Sequence, residues 1–260
     1  MAFLRVDFFS DALGMCSQMQ VLLPETGRHN PKIGFDRPYP VLYLLHGMGN
    51  DHTAWARLTS IERYARQYKL AVVMPSTHHG WYTDMAYGYR YWTFLSEELP
   101  QICTRFFPCI SPAREDTFAA GASMGGYGAL KCGICAPQRF SRVASLSGAT
   151  DLASLCADLE DPDGYWSSVF GPAEAFIGSA NDLHAQAERL AASGSPKPEI
   201  YMWCGQQDAL LALNDASAAH LKKLGFAVNY TTDAGDHDWK CWDAQIERVL
   251  DWLPLERIEG

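Results

Sequence analysis

The pentapeptide Gly121-Ala122-Ser123-Met124-Gly125, followed by Gly126, carries the clearest chemistry in this 260-residue chain. A serine between glycines at this spacing suits a nucleophile elbow, in which a sharp strand-to-helix turn lifts the hydroxyl clear of a sheet. Side chains at the glycine positions would crowd such a turn. An ordinary glycine-rich loop contains the same residues, so the flanks decide. Thr117-Phe118-Ala119-Ala120 reads as a buried strand, and the run from Tyr127 to Cys135 reads as small and apolar, a tightly packed helix that Pro137 stops. Strand, turn and helix is the context this chemistry requires.

A serine hydroxyl is inert until an imidazole takes its proton, and that imidazole needs a carboxylate to orient it. Three histidines lie downstream of Ser123: His184, His220 and His237. The first two fall in predicted helices, where an exposed polar face accounts for them. His237 lies in Ala234-Gly235-Asp236-His237-Asp238-Trp239, a loop between the last predicted strand and the C-terminal helix, within reach of an elbow. The carboxylate has seven candidates between serine and histidine: Asp151, Asp158, Asp161, Asp163, Asp182, Asp208 and Asp215. Loops at the carboxyl ends of strands form the crevice of an open α/β sheet. Asp208 turns off the end of a strand predicted over 199–203, and Asp151, which also follows a strand, stands second. Asp158, Asp161 and Asp163 sit in a polar excursion, and Asp182 reads as a helix N-cap.

The amide of Met124, at the positive end of the helix after the nucleophile, is expected to face a developing oxyanion. Cys132-Gly133-Ile134-Cys135 has a metal- or redox-like spacing, but zinc would need two more ligands and no second CxxC or HxxxH occurs. Inside the helix behind the elbow these thiols are expected to fill space, and the chain is expected to need no metal and no cofactor.

These residues must be positioned by alternating strands and helices, which favours an α/β fold with a mostly parallel sheet and helices on both faces. Residues 3–9 and 15–23 read as an antiparallel hairpin at one edge, joined around Asp11 to Gly14. The apolar run 40–45 reads as a central strand and ends in HGMGN. Helix is expected over 55–68, strand over 70–74, helix over 92–107 with a break near Pro100, and strand over 143–146. Helices over 182–192, 214–224 and 239–252 and a strand over 227–231 complete the alternation. No internal repeat interrupts it, so a single domain over 1–260 is expected, carrying a cap-like insert at about 151–179.

Composition bounds the function. Apolar residues make up 48% and charged residues 20%, enough for a substantial core. A net charge of −9 and no basic cluster argue against a nucleic-acid partner. No stretch approaches 18 consecutive apolar residues, and Arg5, Asp7 and Asp11 interrupt the N-terminus, so no membrane span or signal peptide is expected. Eight scattered cysteines then suggest reduced thiols and a cytoplasmic address. A homo-oligomer is compatible with all of this.

At its motifs the chain resembles the esterase D family of α/β-hydrolases, in particular its bacterial tributyrin and cinnamoyl (feruloyl) esterase branch. The likeness runs through Asp7-Phe8-Phe9-Ser10, LLHGMGND at 44–51, WYTDMAYGYRYWTFLSEELP at 81–100, GASMGGYGAL at 121–130 and GDHDWKCWD at 235–243. The last is similar to the family's GxHxWxxW ending, with His237, Trp239 and Trp242 in place. The resemblance implies an α/β-hydrolase fold with Ser123 as nucleophile, Asp208 as orienting acid and His237 as base. It implies that the second oxyanion amide is Met48, in the HGMG turn, with His46 a structural residue of that turn. Ala209, Leu210 and Leu211 depart from the family's bulkier aromatics beside the acid.

The expected reaction is hydrolysis of a small-molecule ester, with short acyl or hydroxycinnamoyl groups favoured. A formylglutathione hydrolase or an acyltransferase with the same triad is the alternative, and a non-catalytic ligand-binding relative stands behind both. The aromatic segment of Trp81, Tyr82, Tyr87, Tyr89, Tyr91, Trp92 and Phe94 is expected to divide between core packing and an acyl pocket. The insert, with Tyr165, Trp166, Val169, Phe170 and Phe176, is expected to cap that pocket.

Overall fold

A computed structural model describes residues 1–25, 37–157 and 161–258, without the side chains of 156 and 157. Asp158 and the Cys156 thiol therefore lie outside the described residues. The hairpin is present: β1 (Ala2–Ser10) and β2 (Met15–Leu23) pair antiparallel, and β1 is the sheet edge. β3 (Val41–Leu45) follows, then α1 (Ala54–Leu58), α2 (Ile61–Ala65) and β4 (Ala71–Pro75). The single helix expected over 55–68 is thus two. Thr59 turns its hydroxyl back to the Trp55 carbonyl at 2.5 Å, and the Ser60 amide is taken by Asp243 at 2.7 Å, a partner 183 positions away.

A short α3 (Tyr91–Thr93) passes through a π-turn at 94–98 into α4 (Leu99–Phe106). The chain stays helical through Pro100, and the irregularity expected there is the π-turn that ends just before it, where the regular hydrogen-bond ladder is already interrupted. Then come β5 (Thr117–Ala122), α5 (Met124–Cys135), β6 (Arg142–Leu146), α6 (Leu152–Ala157), α7 (Tyr165–Phe170), α8 (Leu183–Ser193), β7 (Glu199–Gly205), α9 (Leu211–Lys223), β8 (Ala227–Asp233) and α10 (Trp239–Trp252). The stretch 151–179 is less irregular than its Gly and Pro content suggests, since it holds α6 and α7.

The eight strands form one sheet in the order β1-β2-β4-β3-β5-β6-β7-β8, parallel from β4 to β8. β3, β4 and β5 are buried along their whole length, as strands covered on both faces must be. Their alternate residues feed two cores. Val41, Tyr43 and Leu45 pack with α5, α8 and α9, while Leu42 and Leu44 pack with α1, α2 and α10. Among the described residues no helix is long and apolar enough to cross a membrane.

Parallel strands place all their carboxyl ends on one edge. That edge collects the loop after β3, the turn after β5 and the loops after β7 and β8. The five non-glycine residues with positive φ among the described residues, His78, Trp81, Tyr82, Ser123 and Ser147, all follow β4, β5 or β6 there. Such conformations cost on the order of 1–3 kcal/mol each and gather at functional sites.

Candidate active site

Ser123 stands between β5 and α5 at φ 57°, ψ −120°. The turn is held by main chain: the Ser123 amide donates to Leu146 O at 3.0 Å, and its carbonyl accepts from the Gly126 amide at 2.9 Å. The flanking glycines are forced by approach distance. A Cβ at Gly121 would lie 2.3 Å from Gly125 O, and one at Gly125 would lie 2.3 Å from Leu45 O. Backbone this close to backbone leaves room for hydrogen only.

The loop after β3 runs against the elbow, since a Cβ at Gly47 would sit 3.6 Å from the Ser123 Cβ. Neither the Met48 nor the Met124 amide has an internal hydrogen-bond acceptor among the described residues. Both are free to donate. His46 is buried, with Nδ1 2.8 Å from Gly47 O and Nε2 accepting from the Thr77 amide at 3.1 Å. Burial drives its pKa down to about 4, so it is a neutral strut between two loops.

Asp208 and His237 come together because β7 and β8 pair in register to their ends, Gly205 opposite Asp233. Beyond them the two loops stay zipped: the Gln206 and Gln207 amides donate to Asp233 O and Gly235 O, each at 2.9 Å. The Asp208 side chain is fully buried; Oδ1 accepts the Leu210 amide at 2.8 Å, and Oδ2 lies 2.9 Å from His237 Nδ1. Burial opposes its ionisation, but the bonds from His237 and Leu210 outweigh that and hold its carboxyl below the usual carboxylate range. The carboxylate fixes the imidazole with Nδ1 protonated and Nε2 as the acceptor.

Among the described residues no hydrogen bond joins Ser123 to His237. Such bonds are often long without substrate and tighten on binding. The tryptophans of the GDHDWKCW segment brace the histidine. Trp242 meets the His237 ring edge-on at 4.9 Å, Trp239 packs on Trp242 and Trp55, and Trp55 donates to Leu45 O at 2.9 Å.

Four of the rival carboxylates are occupied elsewhere. Asp151 accepts from the Ser154 amide and hydroxyl at the start of α6, Asp161 caps α7, Asp182 caps α8 and Asp215 accepts from Tyr230. His184 and His220 are not simply exposed, as expected for a polar helix face. Their rings lie 4.7 Å apart between α8 and α9, with His184 Nε2 2.9 Å from Ser217 Oγ.

The cysteine pair packs inside α5, where burial raises both thiols, that of Cys135 to about 11. Among the described residues no cluster of three His, Cys, Asp or Glu side chains could hold a metal. The aromatic segment divides: Trp81, Tyr82, Tyr91 and Phe94 are buried, while Tyr87 and Tyr89 are exposed.

Lys131 is the residue the sequence reading missed, because it sits in a run read as apolar. It is fully buried in α5, and its ammonium donates to Thr83 Oγ1 at 2.9 Å and Asn181 Oδ1 at 2.7 Å beneath the rings of Trp92 and Tyr127. Burial lowers its pKa to about 8. A charged residue in the middle of an otherwise apolar helix was the available signal.

With this geometry in hand, the comparisons with known proteins are specific. The family model described as a putative esterase matches residues 10–253. An acetyl esterase of Caldicellulosiruptor saccharolyticus is 31% identical over 263 residues, covering 97% of this chain and 98% of that protein. The fluorophosphonate-binding serine hydrolase F of Staphylococcus aureus superposes with a TM-score of 0.89 at 32% identity, covering 97% and 98% of the two chains. An S-formylglutathione hydrolase of the same organism gives 0.85 at 33% identity over the same shares. The sheet and helices described above are those of an α/β-hydrolase.

Proposed function

This chain belongs to the esterase family of α/β-hydrolases and is a serine carboxylesterase, and on that premise we propose that Ser123, His237 and Asp208 are its nucleophile, base and orienting acid. The observation that carries the assignment is the buried Asp208 carboxylate 2.9 Å from His237 Nδ1, on the same sheet edge as the strained serine. Ser123 Oγ attacks the ester carbonyl as its proton passes to His237 Nε2. The negative charge on the tetrahedral intermediate is met by the Met48 and Met124 amides. His237 then returns the proton to the departing alcohol, and water, activated in the same way, releases the acid from the acyl-enzyme. Each oxyanion donor contributes on the order of 100- to 1,000-fold in rate.

Short acyl or hydroxycinnamoyl esters are the proposed substrates. The stretch 151–179 acts as a cap: Trp166 and Phe170 stack at 6.1 Å and both pack on Trp81, which in turn packs on Tyr127 of α5. An apolar wall of this kind discriminates acyl lengths only modestly. The likeness to an S-formylglutathione hydrolase favours a second reading in which the leaving group is a thiol. The cytoplasm suits the seven unpaired cysteines described, and we place the protein there.

A fluorophosphonate probe is expected to label the wild-type chain and to leave Ser123→Ala unlabelled. Turnover of acetyl, butyryl, feruloyl and S-formylglutathione esters ranks the substrates. A folded wild-type protein that is neither labelled nor active on any of the four would overturn the reading.

A further inference from the structure

The Met48 amide stands in a loop that does little to fix itself. Asn50 closes the turn, its amide donating to Gly47 O and its Nδ2 to Met48 O, both at 3.2 Å, and Gly49 adopts φ 78°. Met48 is 48% exposed, so the surrounding core does not hold it. Tyr165, 117 positions away in the insert, reaches it from outside the loop, its hydroxyl lying 3.9 Å from Met48 Sδ.

That hydroxyl is itself firmly placed. It accepts from Trp81 Nε1 at 2.9 Å and lies 3.0 Å from His79 O. A phenol has one proton to give, and a carbonyl oxygen is a far better acceptor than a thioether. The bond therefore goes to His79, and Met48 is met by van der Waals contact. The helix carrying Tyr165 is also anchored. Asp161 accepts from the Trp166 and Ser167 amides at 3.0 and 2.8 Å, and the Ala86 and Tyr87 amides donate to Val169 O and Ser168 O. One end of the contact is fixed by strong bonds to the loop after β4; the other presses on the loop after β3.

We propose that Tyr165 is a positioning residue for the oxyanion loop, setting the place of the Met48 amide through its side chain and so coupling the insert to the reaction rate as well as to substrate fit. The inference rests on the proposed role of Met48. Tyr165 itself touches no reacting atom. It acts because an amide displaced by a fraction of an ångström loses part of its alignment with the intermediate's oxygen.

Tyr165→Phe keeps the ring and removes the hydroxyl with its bonds to His79 and Trp81. It is expected to lower kcat for p-nitrophenyl acetate about tenfold, a fraction of what a whole oxyanion donor supplies, with KM within twofold of wild type. Fluorophosphonate labelling slows by the same factor. Met48→Leu keeps the amide and loses the sulfur, and is expected to lower kcat in the same direction. The double variant falls no further than the worse single one, since both act through one contact. Unchanged kcat in Tyr165→Phe with a lower Tm, a change confined to KM, or additive losses in the double variant each overturn the inference. Failure of the esterase reading looks different, because the wild-type protein itself then takes no label.

Discussion

The elbow and the insert sit on the same edge of the sheet but are built by different means. Around Ser123, Asp208 and His237 the contacts are main chain to main chain: Gly121 against Gly125, Gly125 against Leu45, Gly205 against Gly235. Around Trp166 and Phe170 the packing is side chain to side chain, ring against ring at 5–6 Å. Backbone contacts tolerate little change in residue and hold atoms to tenths of an ångström. Ring packing tolerates substitution and can be reshaped. The difference suits the proposed reaction centre, held rigid, beside the proposed acyl wall, built from adaptable rings, and each half of that contrast can be tested.

The largest effect is expected in the rigid half. Asp208→Asn should lower kcat by about 10,000-fold, since the amide offers an N–H where the imidazole needs an acceptor and so favours the wrong tautomer. Asp151→Asn should stay within about twofold, because that carboxylate only begins α6. Steady-state kinetics on p-nitrophenyl acetate decides; equal losses in the two variants would break the assignment of the acid.

A middle effect is expected in the adaptable half. Trp166→Ala should shift the ratio of kcat/KM for butyrate over acetate by about tenfold, within the range one or two methylenes contribute in an apolar pocket. Its kcat on acetate should change only a few-fold. If acetate turnover collapses as it does for Asp208→Asn, the two regions are not separable.

The smallest effect concerns Lys131, which joins the halves by holding Asn181, just beyond the insert, to the elbow helix. Its folded pKa of about 8 lies below the ordinary lysine value of 10.5 because burial disfavours the charge. Between those values the unfolded chain binds the proton and the folded chain does not, so this group's contribution to stability rises with pH. The Tm of the wild type minus that of Lys131→Met should therefore increase from pH 8 to pH 10. A difference that stays flat or falls would mean the ammonium is not desolvated as described.

Much of the candidate site was legible because its signals are local. The elbow declares itself in six residues, and the bounds of α10 at Trp239 and Trp252 follow from its spacing. Placing Asp208 needed only a strand and its end, while Asp151 satisfied the same rule and was separated by geometry. The split of the helix at Thr59 and Ser60 was not legible, since it depends on Asp243, nor was the ring pair of His184 and His220. The partners of Lys131 were not legible for the same reason: nothing near it in the chain announces Thr83 and Asn181, 48 and 50 positions away, although its charge within an apolar helix was a local signal.

What the sequence by itself determined is whatever follows from near neighbours: strands and helices from periodicity, the strained turn from its glycines, and the order of serine, acid and histidine along the chain. Tertiary structure alone decided which aspartate meets His237, that Tyr165 of the insert reaches Met48, and that a lysine lies in the core. Those outcomes depend on which segments the fold brings together, and burial and contacts across 29 to 117 positions leave no periodic trace in the chain.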